Sequence, residues 1–190
     1  MTRRTPHAVA LLLVALSLAA ARGVAAQDTR TQPAGEFRPV MLRLPKGYMP
    51  APAPHKRAGQ LLLDAKRPAG MYIIYPKDEA PDAFNAFLKT MVAGMFTRDE
   101  NAKLTWAESP LPAVKGIDDE SGTLYTASDE KMDIQLAAFT RTVGGTKVAY
   151  GYYARRQRDE GKKDDTPFLD GSGKGVKAFE EFRKSIRASK

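Results

Sequence analysis

Cysteine is absent from the 190 residues. That excludes disulfides, thiolate metal sites, iron–sulfur ligation and cysteine nucleophiles together. Histidine is nearly as scarce, with His7 and His55 the two copies, and only His55 lies beyond the N-terminal segment. A zinc centre built from the usual thiolate and imidazole ligands therefore lacks its donors. Long apolar runs are also missing after residue 21, so the later chain offers no stretch of the roughly 20 residues a membrane span needs. What remains is 43% hydrophobic and 27% charged, the balance of one globular domain rather than a disordered tract or a multi-span membrane protein.

The first 26 residues read as a secretory leader. Arg3 and Arg4 place positive charge at the start, Ala8–Ala21 is broken only by Ser17, and Val24-Ala25-Ala26 ends in small residues. Charge, then an apolar core, then a small-residue site is the order a signal peptidase recognises. The apolar run is too short to anchor, and no cysteine follows for lipid attachment. The Arg3-Arg4 pair raises the twin-arginine route. Pro6 and His7 stand where that pattern prefers an aromatic and an aliphatic residue, which favours the general secretory route. Cleavage after Ala26 removes three arginines and no acid, so the formal charge falls from +8 to +5. The expectation is an exported, soluble protein, periplasmic or secreted, with no membrane span after processing. Export separates it from nucleic acid. Its mild positive charge suits an envelope protein or an anionic envelope polymer as partner.

Residues 27–36 carry Pro, Gly, Thr and Gln without periodicity and read as a flexible lead-in, leaving 37–190 as a single domain. Val40 to Leu44 predicts a short strand. Pro50, Pro52 and Pro54 predict a stiff connector barred from a sheet interior. Leu61-Leu62-Leu63 and Met71 to Tyr75 predict two more strands. Phe84, Phe87, Leu88, Met91, Val92 and Met95 fall at i, i+3, i+4, i+7, i+8 and i+11, the stripe of a helix on a core, over Asp82 to Phe96. From Leu104 the pattern turns to strands, with Pro110 and Pro112 expected to break the first. Gly116 to Gly122 predicts a solvated acidic loop. Thr123 to Ala127, Ile134 to Thr142 and Val148 to Ala154 predict a meander, with Gly144-Gly145 as a hairpin turn. Arg155 to Asp165 reads as a solvated charged segment, and Asp170 to Gly175 as a glycine-rich turn before a last helix, Val176 to Arg187. The fold class is α+β: an antiparallel sheet flanked by helices.

This order resembles the PsbP-like family of exported α/β/α sandwich proteins. The likeness is carried by Leu44-Pro45-Lys46-Gly47-Tyr48 after an opening strand, the central helix, the meander, and Ala178-Phe179-Glu180-Glu181-Phe182 in the closing helix. It covers roughly Phe37 to Ala188. The resemblance implies an accessory or assembly factor rather than an enzyme, and transfers no site residue. The Pro50 to Pro54 connector departs from it.

Tests for chemistry mostly fail. A serine nucleophile needs a nearby base, and His55 sits alone in a proline-rich stretch with no Gly-x-Ser-x-Gly elbow in the chain. Asp118, Asp119 and Glu120 lack EF-hand spacing. Gly171-Ser172-Gly173-Lys174-Gly175 lacks the first glycine and the hydroxyl residue of a phosphate-binding loop. No catalytic residue, metal or cofactor is therefore assigned. The best binding candidates are Arg155, Arg156 and Arg158, which follow Tyr150, Tyr152 and Tyr153, because guanidinium beside aromatics can grip phosphate or carboxylate. A non-catalytic accessory or binding protein of the cell envelope is the leading expectation. Two alternatives stand beside it. One is a carboxylate-dependent hydrolase of an envelope polymer using Glu108 with an acid from Asp118 to Glu120. The other is a small apolar-ligand carrier with a pocket lined by Tyr72, Phe87, Met91 and Trp106.

Overall fold

The chain builds its main sheet from both ends toward the middle. A computed structural model describes residues 31–33, 40–53, 58–76, 79–97, 104–112, 117, 119–158, 164–171 and 175–189. The leader, His55, Asp118 and residues 172–174 lie outside them. Strands β3 (Tyr48–Pro52), β4 (Gly59–Asp64) and β5 (Ala69–Ile74) pair in sequence. Helix α1 (Pro81–Thr97) then carries the chain to the far edge, where β6 (Trp106–Leu111), β7 (Ser121–Ser128), β8 (Met132–Val143) and β9 (Thr146–Gln157) return as a meander. Strand β9 closes on β5, giving the order β3-β4-β5-β9-β8-β7-β6 with every neighbour antiparallel. A small second sheet joins β1 (Thr31–Pro33) and β10 (Arg187–Ala188) to β2 (Val40–Arg43). Helix α2 (Lys177–Ser185) precedes β10. Thr31–Lys190 forms one domain.

Two apolar clusters lie on the two faces of the main sheet. Met71, Ile73, Val148, Tyr150 and Tyr152 pack with Phe179 and Phe182 of α2 and with Val40 and Leu42 of β2. Tyr72, Ile74, Ala149 and Tyr153 pack with Phe84, Leu88, Met91 and Val92 of α1. All six residues of β5 are buried. Successive side chains on a strand point to opposite faces, so a strand covered on both sides must be apolar throughout. That is why Met71 to Ile74 reads as an unbroken apolar run in an antiparallel sheet.

The central β5–β9 ladder is fitted by two reciprocal pairs, Gly70 opposite Tyr153 and Tyr72 opposite Gly151. The Tyr72 ring crosses Gly151 and its hydroxyl reaches toward the Ala137 carbonyl at 3.5 Å. A Cβ at Gly151 would stand 1.9 Å from that carbonyl oxygen, and one at Gly70 would stand 2.3 Å from the Tyr153 hydroxyl. Each tyrosine thus lies where its partner has no side chain. The β8–β9 turn is the two-residue Gly144-Gly145 loop, with φ of 56° and 79°. This matches the expected hairpin, since a type I′ turn needs positive φ at both positions.

Three expectations are corrected at the edges. Pro50 and Pro52 belong to β3, the outermost strand, rather than to a connector outside the sheet. Being two apart, both missing donors fall on the same side of the strand, and the ladder to β4 uses the other residues. Pro110 likewise lies inside β6 at the opposite edge and does not break it. Proline at both edges discourages pairing with another chain. Strand β9 also runs on through Gln157, so Arg155 and Arg156 are sheet residues and not the start of a solvated segment.

Helix α2 is held by a buried charge. Arg183, 1% exposed, pairs with Glu120, whose side chain is fully buried; its Nε also donates to Glu120 at 3.3 Å. The guanidinium lies 3.9 Å over the Phe139 ring, and the Tyr150 hydroxyl donates to the same carboxylate. Arg141 donates to the Arg183 and Ile186 carbonyls at 3.3 and 2.6 Å, satisfying the open carbonyls at the helix end. Glu120 is therefore a core residue, not part of a solvated acidic loop.

Two stability predictions follow from this packing. Gly151→Ala should lower unfolding free energy by about 3 kcal/mol through overpacking, measured by urea denaturation, whereas Gly171→Ala, where a Cβ meets nothing, should leave it within about 0.5 kcal/mol; equal behaviour of the two refutes the close fit. Arg183→Met should cost about 3–5 kcal/mol by leaving a buried carboxylate without its cation. Adding Glu120→Gln to it should restore part of that loss, and a double variant no better than the single one would contradict the pairing.

Candidate functional site

On the α1 face, three neighbouring strands present only small side chains beyond the first turn of the helix. The ladder aligns Ser121 with Thr140 and Thr140 with Ala149 in one row, and Thr123 with Ala138 and Ala138 with Gly151 in the next. Larger residues would fill this space against the helix, as Ile134 and Leu136 do further along the same face of β8. The small ones leave an open cleft of about 230 Å3. Its floor is Ala138 and Ala149, its helix wall Pro81, Phe84, Asn85 and Leu88, and its mouth Pro76, Glu79 and Lys147. The Ser121 and Thr140 hydroxyls lie 3.0 Å apart and hydrogen-bond across the strands. Lys147 is exposed and forms no ion pair with any described residue. The cleft therefore joins an apolar floor and wall to a few polar groups and one cation, the usual make-up of a small-ligand site.

The arginines singled out from the sequence do not form one patch. Arg155 shares a face with α1, its guanidinium 6.0 Å from the Phe96 ring. Arg156 points to the other face, 4.3 Å over Phe168, and donates to the Thr166 carbonyl at 2.9 Å. Arg158 binds Asp133, with Nε donating at 2.8 Å, and also the Asp129 carbonyl at 3.3 Å. Arg156 works with the Tyr152 hydroxyl, which donates to the Pro167 carbonyl at 2.8 Å. Gln135 completes the set: its amide nitrogen donates to the Leu169 carbonyl at 2.9 Å, and its oxygen accepts from the Leu169 N–H at 2.5 Å. Together these side chains strap residues 166–169 onto the sheet. Strand alternation separates Tyr150 and Tyr152 from Tyr153, as their spacing implies.

The candidate carboxylates also part company. Glu108 lies on the α1 face and accepts from Lys89 at 2.8 Å, while Glu120 is buried on the α2 face with Arg183. The sheet stands between them. Among the described residues, no three His, Cys, Asp or Glu side chains gather as a metal site. Tyr72 and Met91 are buried core residues, with Phe87 and Trp106 packed against them; none of the four lines the cleft. Gly175, with φ of 109°, precedes Val176 at the start of α2, which accounts for a glycine at that turn. Among the described residues, no helix is long and apolar enough to cross a membrane.

No protein-family model matches the chain, and no curated protein is significantly similar to it.

Among the titrating groups, the Arg158 hydrogen bond holds the Asp133 carboxyl below its ordinary value, helped by Ser128. Burial raises the Tyr48 hydroxyl to about 12, with Asp64 adding to the rise. Burial alone raises Tyr75 to about 12. A carboxylate with a lowered folded value stabilises the fold above its unfolded value, about 3.9, and loses that contribution as pH falls through the folded value. An NMR carboxyl titration should find the Asp133 midpoint below about 3.9 and moved up toward it in Arg158→Gln. A midpoint indifferent to that substitution removes Arg158 as the cause.

Proposed function

We propose that this chain is an exported, non-catalytic binding protein of the cell envelope, and that the cleft beside the start of α1 is its binding site. The cleft carries the binding half of this reading. There an apolar floor, a hydrogen-bonded pair of hydroxyls and an exposed ammonium converge on open space. The separation of Glu108 from Glu120 by the sheet weighs against the form of the hydrolase alternative that pairs these two, because glycoside hydrolysis needs two carboxyl groups within roughly 5–10 Å across one bond. The export half rests on Arg3-Arg4, the Ala8–Ala21 run and the small residues ending at Ala26. The PsbP-like resemblance suits both halves. A sheet with α1 on one face and α2 on the other is the α/β/α layering that the resemblance implies, and an accessory role in the envelope is the activity it suggests.

The chain, expressed from Met1 in a bacterial host and fractionated, should be recovered from the periplasm or medium. Mass spectrometry should find Gln27 as its first residue. Native mass spectrometry of that material should show bound small molecules that are lost when Thr140→Trp narrows the cleft. Recovery from the cytosol with the leader attached refutes export, and ligand retention by a folded Thr140→Trp protein refutes the cleft.

A further inference from the structure

The lining of the cleft narrows the class of ligand, and this step rests on the cleft being the binding site. At about 30 Å3 for a water-sized group, the 230 Å3 of space takes roughly eight non-hydrogen atoms. The part of a ligand seated in the cleft is therefore small. Its depth is apolar: Ala138 and Ala149 form the floor, with Phe84 and Leu88 beside them. Burying a short hydrocarbon there gains about 25 cal/mol for each Å2 removed from water. The polar groups stand toward one end. Ser121 pairs with Thr140 across the ladder, and Lys147 is two pairs further along the β8–β9 hairpin and so on the same face, opposite Thr142. One hydroxyl of the Ser121–Thr140 pair donates to the other, which leaves one hydroxyl hydrogen to offer outward. Lys147 adds up to three donors and a positive charge, and no described residue neutralises it. Glu79, the acid at the mouth, already has an interaction of its own.

We infer that the cleft takes a short-chain monocarboxylate. Its carboxylate would be held by the Lys147 ammonium and the Ser121–Thr140 hydroxyl pair, and its hydrocarbon would lie against Phe84, Leu88, Ala138 and Ala149. An ammonium–carboxylate hydrogen bond is about twice as strong as a neutral one. The head group should therefore decide affinity while the tail is shared with neutral analogues. A cation of the same length would meet Lys147 as a like charge.

Hexanoate, hexanamide and hexylammonium have the same eight or nearly eight heavy atoms and differ in the head group. Titrated separately into the protein and followed by amide NMR, hexanoate should shift Ser121, Thr140, Lys147 and Phe84 and bind at least tenfold more tightly than hexanamide. Lys147→Met, at an exposed position, should keep the melting temperature and reduce hexanoate to the level of hexanamide without changing hexanamide itself. Hexanamide or hexylammonium binding as well as hexanoate, with shifts at the same residues, overturns the carboxylate assignment and leaves the cleft as a binding site. No shifts in the cleft with any of the three overturns both.

Discussion

The closure of β9 on β5 is the constraint on which the other parts of this fold depend. These strands come from opposite ends of the domain, and their ladder joins the β3-β4-β5 unit to the β6-to-β9 meander. Both are buried on two faces, so a slip of one residue would send every side chain to the wrong layer. The reciprocal Tyr72–Gly151 and Gly70–Tyr153 pairs oppose such a slip. Each ring needs the bare backbone across from it, and a one-residue shift would drive it into a side chain or leave it a void. With that register set, the two helices find different surfaces on the two faces.

On the α2 face the space is filled. Phe139, Tyr150, Tyr152, Phe179 and Phe182 pack together with ring centroids about 6 Å apart, and the Arg183–Glu120 pair is sealed among them. Aromatic contacts of that kind contribute beyond the area they bury. The buried ion pair is retained at a desolvation cost, and its geometric consequence is to tie α2 to the segment entering β7. On the α1 face the large residues lie along the helix, and the cleft beside its start is lined on the sheet by serine, threonine and alanine. The same strands thus make a solid layer on one side and an open cleft on the other.

Much of the fold was legible along the chain. The stripe from Phe84 to Met95 specifies a helix lying on a core, because 3.6-residue periodicity over about three turns has no competing reading. Gly144-Gly145 specifies a hairpin for an equally local reason. The edges were misjudged because proline excludes a residue from the middle of a sheet but not from its rim, and rim position depends on topology. Glu120 was misjudged because three successive acidic residues read as solvated; its cation lies 63 residues away on α2. The three arginines looked like a cluster because they are close in sequence, whereas strand alternation sends Arg155 and Arg156 apart.

The site was the least legible part. Ser121, Thr123, Ala138, Thr140 and Ala149 are unremarkable singly, and their smallness at alternate positions on three strands becomes a signal only once the register aligns them. Local periodicity, turn chemistry and two-sided apolarity belong to the sequence itself, since each is decided by residues within a few positions of one another. Which strands become edges, which acid meets Arg183 and where small side chains gather into a cleft were decided by tertiary structure. Those outcomes turn on contacts between segments whose separation along the chain carries no mark of their meeting.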